Sequence, residues 1–147
     1  MHTTDSTFRR DQHEELERSE ATPRVSVLLA EDNDDNVRLV RAFLGDVHFA
    51  VTVAENGQRA VELFAAGRFD AVLMDVQMPV MHGLEAARRI RACEAADGRG
   101  RTLMLALTAH ASSEDAARSV AAGCDGHLTK PVRRQTLLDS LAPARRR

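Results

Sequence analysis

Five polar residues of this chain stand at the ends of short apolar runs. Glu31 and Asp32 follow VSVLLA, Asp75 follows AVLM, Thr108 closes TLMLALT, and Lys130 follows GHLT. If the fold gathers them, three carboxylates share one small site. Two like charges about 4 Å apart repel by roughly 4 kcal/mol at an effective dielectric near 20, so the cluster requires a counter-charge. A divalent cation supplies one. Hard oxygen donors with room for waters and a phosphate oxygen suit Mg2+ better than zinc, because neither Cys nor His stands at these positions. Lys130 is the single lysine among 20 Lys and Arg residues. Its compact ammonium on a flexible stem can reach an anion beside a metal better than arginine's planar fork. Pro131 favours an extended backbone before it. With the Thr108 hydroxyl as a further donor, the set describes a phosphoryl site. Asp75 is the nucleophile, attacks in line and becomes an acyl phosphate.

The elements that must position these residues follow from hydrophobic periodicity. Val25–Ala30, Phe49–Ala54, Ala71–Met74, Thr102–Thr108 and Gly126–Thr129 read as strands. Between them, Val37, Val40, Phe43, Leu44 and Val47 recur at helical spacing, and Ala60, Val61, Phe64 and Ala65 form a second stripe closed by Gly67. Leu84, Ala87, Ile90 and Arg91 mark a third helix after a loop with Pro79 and Gly83. A small helix capped by Ser112 or Ser113 ends at Gly123, and Leu137, Leu138 and Leu141 mark a last helix stopped by Pro143. Five βα units with nearly continuous apolar strands predict an α/β fold: a doubly wound, five-stranded parallel sheet with helices on both faces. In the flavodoxin-like strand order 2-1-3-4-5, strands 1 and 3 are neighbours. Asp32 and Asp75 then lie side by side with Glu31 close behind, in the crevice beyond the carboxyl ends where such sheets bind ligands. Strand 2 ends in Glu55 and contributes least.

At 147 residues the chain suits one domain with a hydrophobic core, and its formal net charge of -2 gives no reason to expect nucleic acid or membrane as a partner. Cys93 and Cys124 form no CxxC pair and read as packing residues. No apolar segment approaches a signal or membrane span, so a reducing, cytoplasmic setting is expected. Residues 1–24 form a densely charged tail that cannot bury enough to order itself, although Arg10, Glu14 and Arg18 have the spacing of a transient polar helix. The domain is expected over residues 25–142, followed by a basic tail at 143–147.

The segments LLAEDNDDN, LMDVQMPVMHG, LTAHA and LTKP resemble the receiver domains of two-component response regulators, particularly those attached to hybrid histidine kinases. The resemblance spans Val25 to about Leu141. It implies that Asp75 accepts phosphate from a phosphohistidine of a histidine kinase or histidine phosphotransfer protein. It also implies that Asp32, Asp75 and the Gln77 backbone carbonyl bind Mg2+, with Glu31 acting through a metal-bound water. Thr108, the Ala109 amide and Lys130 would hold the phosphoryl oxygens, with Thr108 and His127 as the switch pair. A downstream protein would dock on the face of helix 4, strand 5 and helix 5. Such a domain is a phosphoacceptor in a phosphorelay that assists its own phosphorylation and dephosphorylation, not a turnover enzyme, and no output domain is expected after the last helix.

Several positions depart from that pattern. Asp34 and Asp35 replace a proline and an apolar residue, and acids in a first helical turn favour the macrodipole. Their alternative role is a tighter or more salt-sensitive metal site. His82 replaces a common Asp and reads as exposed loop variation. His127 replaces an aromatic ring; it is either a partly exposed histidine or a group that makes signalling depend on pH. The resemblance implies that Gln77 and His110 flank the path of the hydrolytic water, which either could orient or block. Two other functions compete. A phosphohydrolase of the haloacid-dehalogenase kind would need a second Asp where Gln77 stands, and an unphosphorylated scaffold would not need Asp32, Asp75, Thr108 and Lys130 together.

Overall fold

The computed structural model describes residues 24–110 and 112–145. Five strands, β1 (Val25–Ala30), β2 (Phe49–Ala54), β3 (Ala71–Asp75), β4 (Leu103–Thr108) and β5 (Gly126–Thr129), each precede a helix. The helices are α1 (Asp34–Leu44), α2 (Gly57–Ala66), α3 (Gly83–Asp97), α4 (Ser113–Ala122) and α5 (Arg134–Arg145). All strand pairs are parallel and the order is β2-β1-β3-β4-β5, as the sequence predicts.

The strands read as unbroken apolar runs because both faces of the sheet are covered. Val27, Leu29, Leu73 and Leu107 pack with Val40 and Leu44 of α1 and Leu137 and Leu141 of α5. Leu28, Val72, Met74 and Met104 pack on the other face with Phe64 of α2 and Ala87 and Ile90 of α3. Each large side chain buried this way contributes about 1.5–3 kcal/mol.

Helix starts are set by side-chain caps that satisfy free backbone amides. Asn33 accepts from Asn36 N–H at 3.0 Å, Asn56 from Arg59 N–H at 2.7 Å, and Ser112 from Asp115 N–H at 3.1 Å. Gly67 and Gly123 cap the ends of α2 and α4 where expected.

Two strand ends shift by one residue from the sequence reading, β3 taking in Asp75 and β4 starting at Leu103, and two helix ends differ more. Gly45 ends α1 at a φ of 68° with its N–H bonded to Arg41 O, so Val47 falls outside the helix and is 71% exposed. Pro143 does not stop α5, which continues to Arg145; the tail expected from residue 143 therefore begins inside a helix. A proline there removes only one amide donor from the final turn. Packing outweighs that loss, since Ala144 is buried and the Arg145 guanidinium lies 5.8 Å from the centre of the Phe49 ring. The polar segment expected over residues 1–24 lies outside the described residues, Arg24 excepted.

At the amino end of the sheet, Arg91 of α3 ties three segments together. Its guanidinium donates to Glu94 Oε1 at 2.8 Å, Thr102 O at 2.8 Å, Gly123 O at 2.9 Å and Asp125 Oδ2 at 3.0 Å. Local spacing marks only the contact with Glu94, three residues along the same helix.

Candidate functional site

β1 and β3 run in register with Ala30 opposite Met74, so the next residues, Glu31 and Asp75, emerge side by side at the carboxyl edge. Glu31 N–H donates to Ala54 O at 3.0 Å, which holds its backbone in line with β1. One oxygen from each of Glu31, Asp32 and Asp75 lies within 4.8 Å of the others. Glu31 and Asp75 are only 2% and 3% exposed, whereas Asp32 faces solvent.

Lys130 arrives from the far side of the sheet. Its N–H donates to Thr108 O at 2.8 Å just past β5, and its peptide bond to Pro131 is cis. The ammonium stands 3.1 Å from both Asp75 Oδ2 and Glu31 Oε1. Gln77 N–H donates to Asp75 Oδ1 at 3.1 Å, and Asn33 N–H to Glu31 Oε2 at 3.2 Å. Glu31 Oε1 is buried and out of alignment for a hydrogen bond, so its contact with the ammonium is coulombic.

These contacts set the local electrostatics. Burial pushes the Glu31 carboxyl above the ordinary range, as does the neighbouring Asp75 carboxylate, against the opposing pull of Lys130. Burial works against the Lys130 charge, but Asp75 and Glu31 outweigh it and hold the ammonium above the usual lysine value. One cation thus faces three acids in a pocket of about 280 Å³, which Gln77, Thr108 and Ala109 also line.

The acidic set fits Mg2+. It offers three hard oxygens and no soft donor, opens to solvent at Asp32, and leaves Glu31 Oε1 as a buried acceptor that a metal-bound water could satisfy. Thr108 lies at this pocket, but its hydroxyl is engaged locally. Oγ1 donates to His110 O and accepts from His110 N–H, both at 3.0 Å.

The remaining expected positions are more dispersed. Asp34 and Asp35 are exposed in the first turn of α1, Asp35 pairs with Arg38 at 3.0 Å, and neither joins the carboxylate cluster. His127 is exposed on β5. Cys124 is buried, with burial pushing its thiol up to about 11, and Cys93 is partly buried. His82 is more than loop variation: its Nδ1 accepts from Leu84 N–H at 3.2 Å and caps α3. Asn33 and Asn36, which also line the acidic pocket, were not singled out from sequence; the signal available was an asparagine just before a helical stripe.

Residues 27–142 match the family model for the response regulator receiver domain. The chain is 35% identical over 130 residues to "Hybrid signal transduction histidine kinase I" of Dictyostelium discoideum, covering 85% of this chain but only 7% of that protein. Among solved structures it resembles the receiver domain of sensor histidine kinase PA1611 from Pseudomonas aeruginosa, which has a magnesium ion coordinated in its active site cleft. That match has 34% identity, covers 85% of this chain and all of that one, and gives a TM-score of 0.75. A chain from the co-crystal of the Saccharomyces cerevisiae histidine phosphotransfer protein Ypd1 with the receiver domain of Ssk1 also matches. There the identity is 35%, the coverage 80% and 86%, and the TM-score 0.75.

Proposed function

The chain belongs to the response regulator receiver domain family, and from that premise we propose that Asp75 accepts a phosphoryl group and thereby switches or relays a two-component signal. The donor is a phosphohistidine on a histidine kinase or a histidine phosphotransfer protein, the class of partner with which the similar Ssk1 receiver was crystallised. The observation that carries this reading is the double contact of Lys130, 3.1 Å from Asp75 and 3.1 Å from Glu31.

An Asp75 oxygen attacks phosphorus in line. The P–O bond forms as the P–N bond breaks, and the electron pair leaves on the imidazole nitrogen, which takes a proton from solvent. Lys130 holds one phosphoryl oxygen. The Ala109 amide and the Thr108 hydroxyl hold others, once Thr108 leaves His110. Asp32, Asp75 and the Gln77 carbonyl would hold Mg2+, with Glu31 acting through a water; the ion supplies charge neutralisation at the phosphoryl group. His127 and the α4, β5 and α5 face serve a downstream protein.

Incubation with acetyl phosphate and Mg2+ tests the reading. A hydroxylamine-sensitive mass gain is expected on the wild type and none on Asp75→Asn. No gain on the wild type would leave the chain an unphosphorylated scaffold.

A further inference from the structure

A second cleft, of about 340 Å³, opens between α3 and α4. It shares Gln77 and Thr108 with the acidic pocket as a common wall, yet its charge is opposite. Arg88 and Arg118 line it, and Asp115 is its one acid. Asp115 is already engaged, accepting from Ser112 Oγ at 2.8 Å and from Arg118 at 3.4 Å. Arg88 has no ion pair or hydrogen bond among the described residues, whereas its neighbours Arg89 and Arg91 pair with Glu85 and Glu94.

His82 adds a donor. Because its Nδ1 accepts from Leu84 N–H, the proton of the neutral ring sits on Nε2. Val76 and Leu84 supply an apolar wall. A free guanidinium and an imidazole donor beside apolar surface describe a site for an anion with an apolar body. The volume is at the lower end of the range for small-molecule sites, about 300–1,000 Å³. One uncompensated charge favours a monoanionic carboxylate over a phosphate dianion, and the planar fork of arginine matches a carboxylate bidentately.

We propose that this cleft binds a small organic carboxylate, its charged end on Arg88 and His82 and its body against Val76 and Leu84. Occupancy bears on the Thr108–His110 turn, and so on phosphoryl uptake. That consequence rests on the assignment of Asp75 above; the binding itself does not.

Benzoate is therefore titrated into the full chain, unphosphorylated and without Mg2+, and followed by amide chemical shifts. Saturable shifts at Leu84, Arg88 and Arg118 are expected. Arg88→Gln should weaken binding about tenfold, the loss of one charge-assisted pair, while Arg89→Gln leaves it unchanged. The binding proposal is overturned by absence of saturable shifts, by an equal response to benzylamine, or by indifference to Arg88→Gln. Inorganic phosphate binding as tightly as benzoate overturns the choice of carboxylate. Benzoate at its wild-type Kd should also alter the rate of acetyl phosphate labelling in the wild type and much less in Arg88→Gln. An unchanged wild-type rate overturns the coupling, and because labelling by itself reports on Asp75, the two readings fail separately.

Discussion

Lys130 Nζ lies 3.1 Å from Asp75 Oδ2, joining the last strand of the sheet to its centre. The same ammonium also faces Glu31 at 3.1 Å, so two buried carboxylates depend on one cation. Lys130→Met removes it. With the lysine side chain one-quarter exposed, the loss should fall below that of a fully buried pair, at about 1–3 kcal/mol in EDTA. Mg2+ should restore more stability to the variant than to the wild type, because only the variant lacks a counter-charge. Urea unfolding with and without Mg2+ measures both. Equal responses to Mg2+ would show that the acids do not depend on the ammonium.

His82 takes the capping position of α3 with a ring nitrogen as acceptor. His82→Ala leaves the Leu84 amide without that partner and should cost about 1 kcal/mol at neutral pH. His82→Asp keeps an acceptor and adds negative charge at a helix N-terminus, so it should match or exceed the wild type. Urea unfolding ranks the three proteins. An alanine variant as stable as the histidine protein would remove the capping role.

The Arg91 network makes a prediction about acid. Burial alone would raise Glu94 and Asp125, but Glu94 is lowered by Arg91 and the Thr102 amide, and Asp125 by the Met104 amide, Arg101 and Arg91. Folded values below the unfolded ones mean that the stability they contribute is present above the unfolded carboxylate value, near about 4, and is lost as pH falls through the folded values. Asp125→Asn should therefore cost about 1–2 kcal/mol at pH 7, and the difference from wild type should shrink between about pH 5 and pH 2. Unfolding curves across that range check the sign. A difference independent of pH would rule out titration of Asp125 as its source.

What could be read from the sequence follows the same division between local and tertiary causes. Buried parallel strands must be apolar throughout, so the polar residue at or just past the end of each marks the carboxyl edge, which is how Glu31, Asp75, Thr108 and Lys130 are found. The Ser112 cap is legible for the same local reason. Arg91 is not, because its partners Thr102, Gly123 and Asp125 are brought to it by the packing of α3 against the start of β4 and the turn before β5. The extension of α5 through Pro143 also escapes a local rule, since it depends on Ala144 reaching the core. The engagement of Thr108 with His110 escapes as well; chain order identifies the hydroxyl but not the bond it makes.

Val80 is the one non-glycine residue at positive φ among the described residues, at 71°, and it is 79% exposed. An L-residue in the left-handed region costs roughly 1–2 kcal/mol, and a β-branched side chain relieves none of it. Burial does not offset the strain here. The cause lies in the path of the loop between β3 and α3. Met81 N–H donates to Pro79 O at 2.8 Å and Gly83 N–H to Val76 O at 3.0 Å, while a Cβ at Gly83 would overlap the Asp75 carbonyl oxygen. The backbone beneath Asp75 thus dictates a turn that valine fits poorly. Val80→Asn should add about 1 kcal/mol in urea unfolding, since asparagine tolerates this region. Val80→Gly should add less, because glycine loses more chain entropy on folding. Both variants should take phosphate from acetyl phosphate as the wild type does, because the exposed Val80 side chain lies outside the pocket of Asp75. A gain in stability accompanied by lost labelling would mean that the strained turn itself positions Asp75.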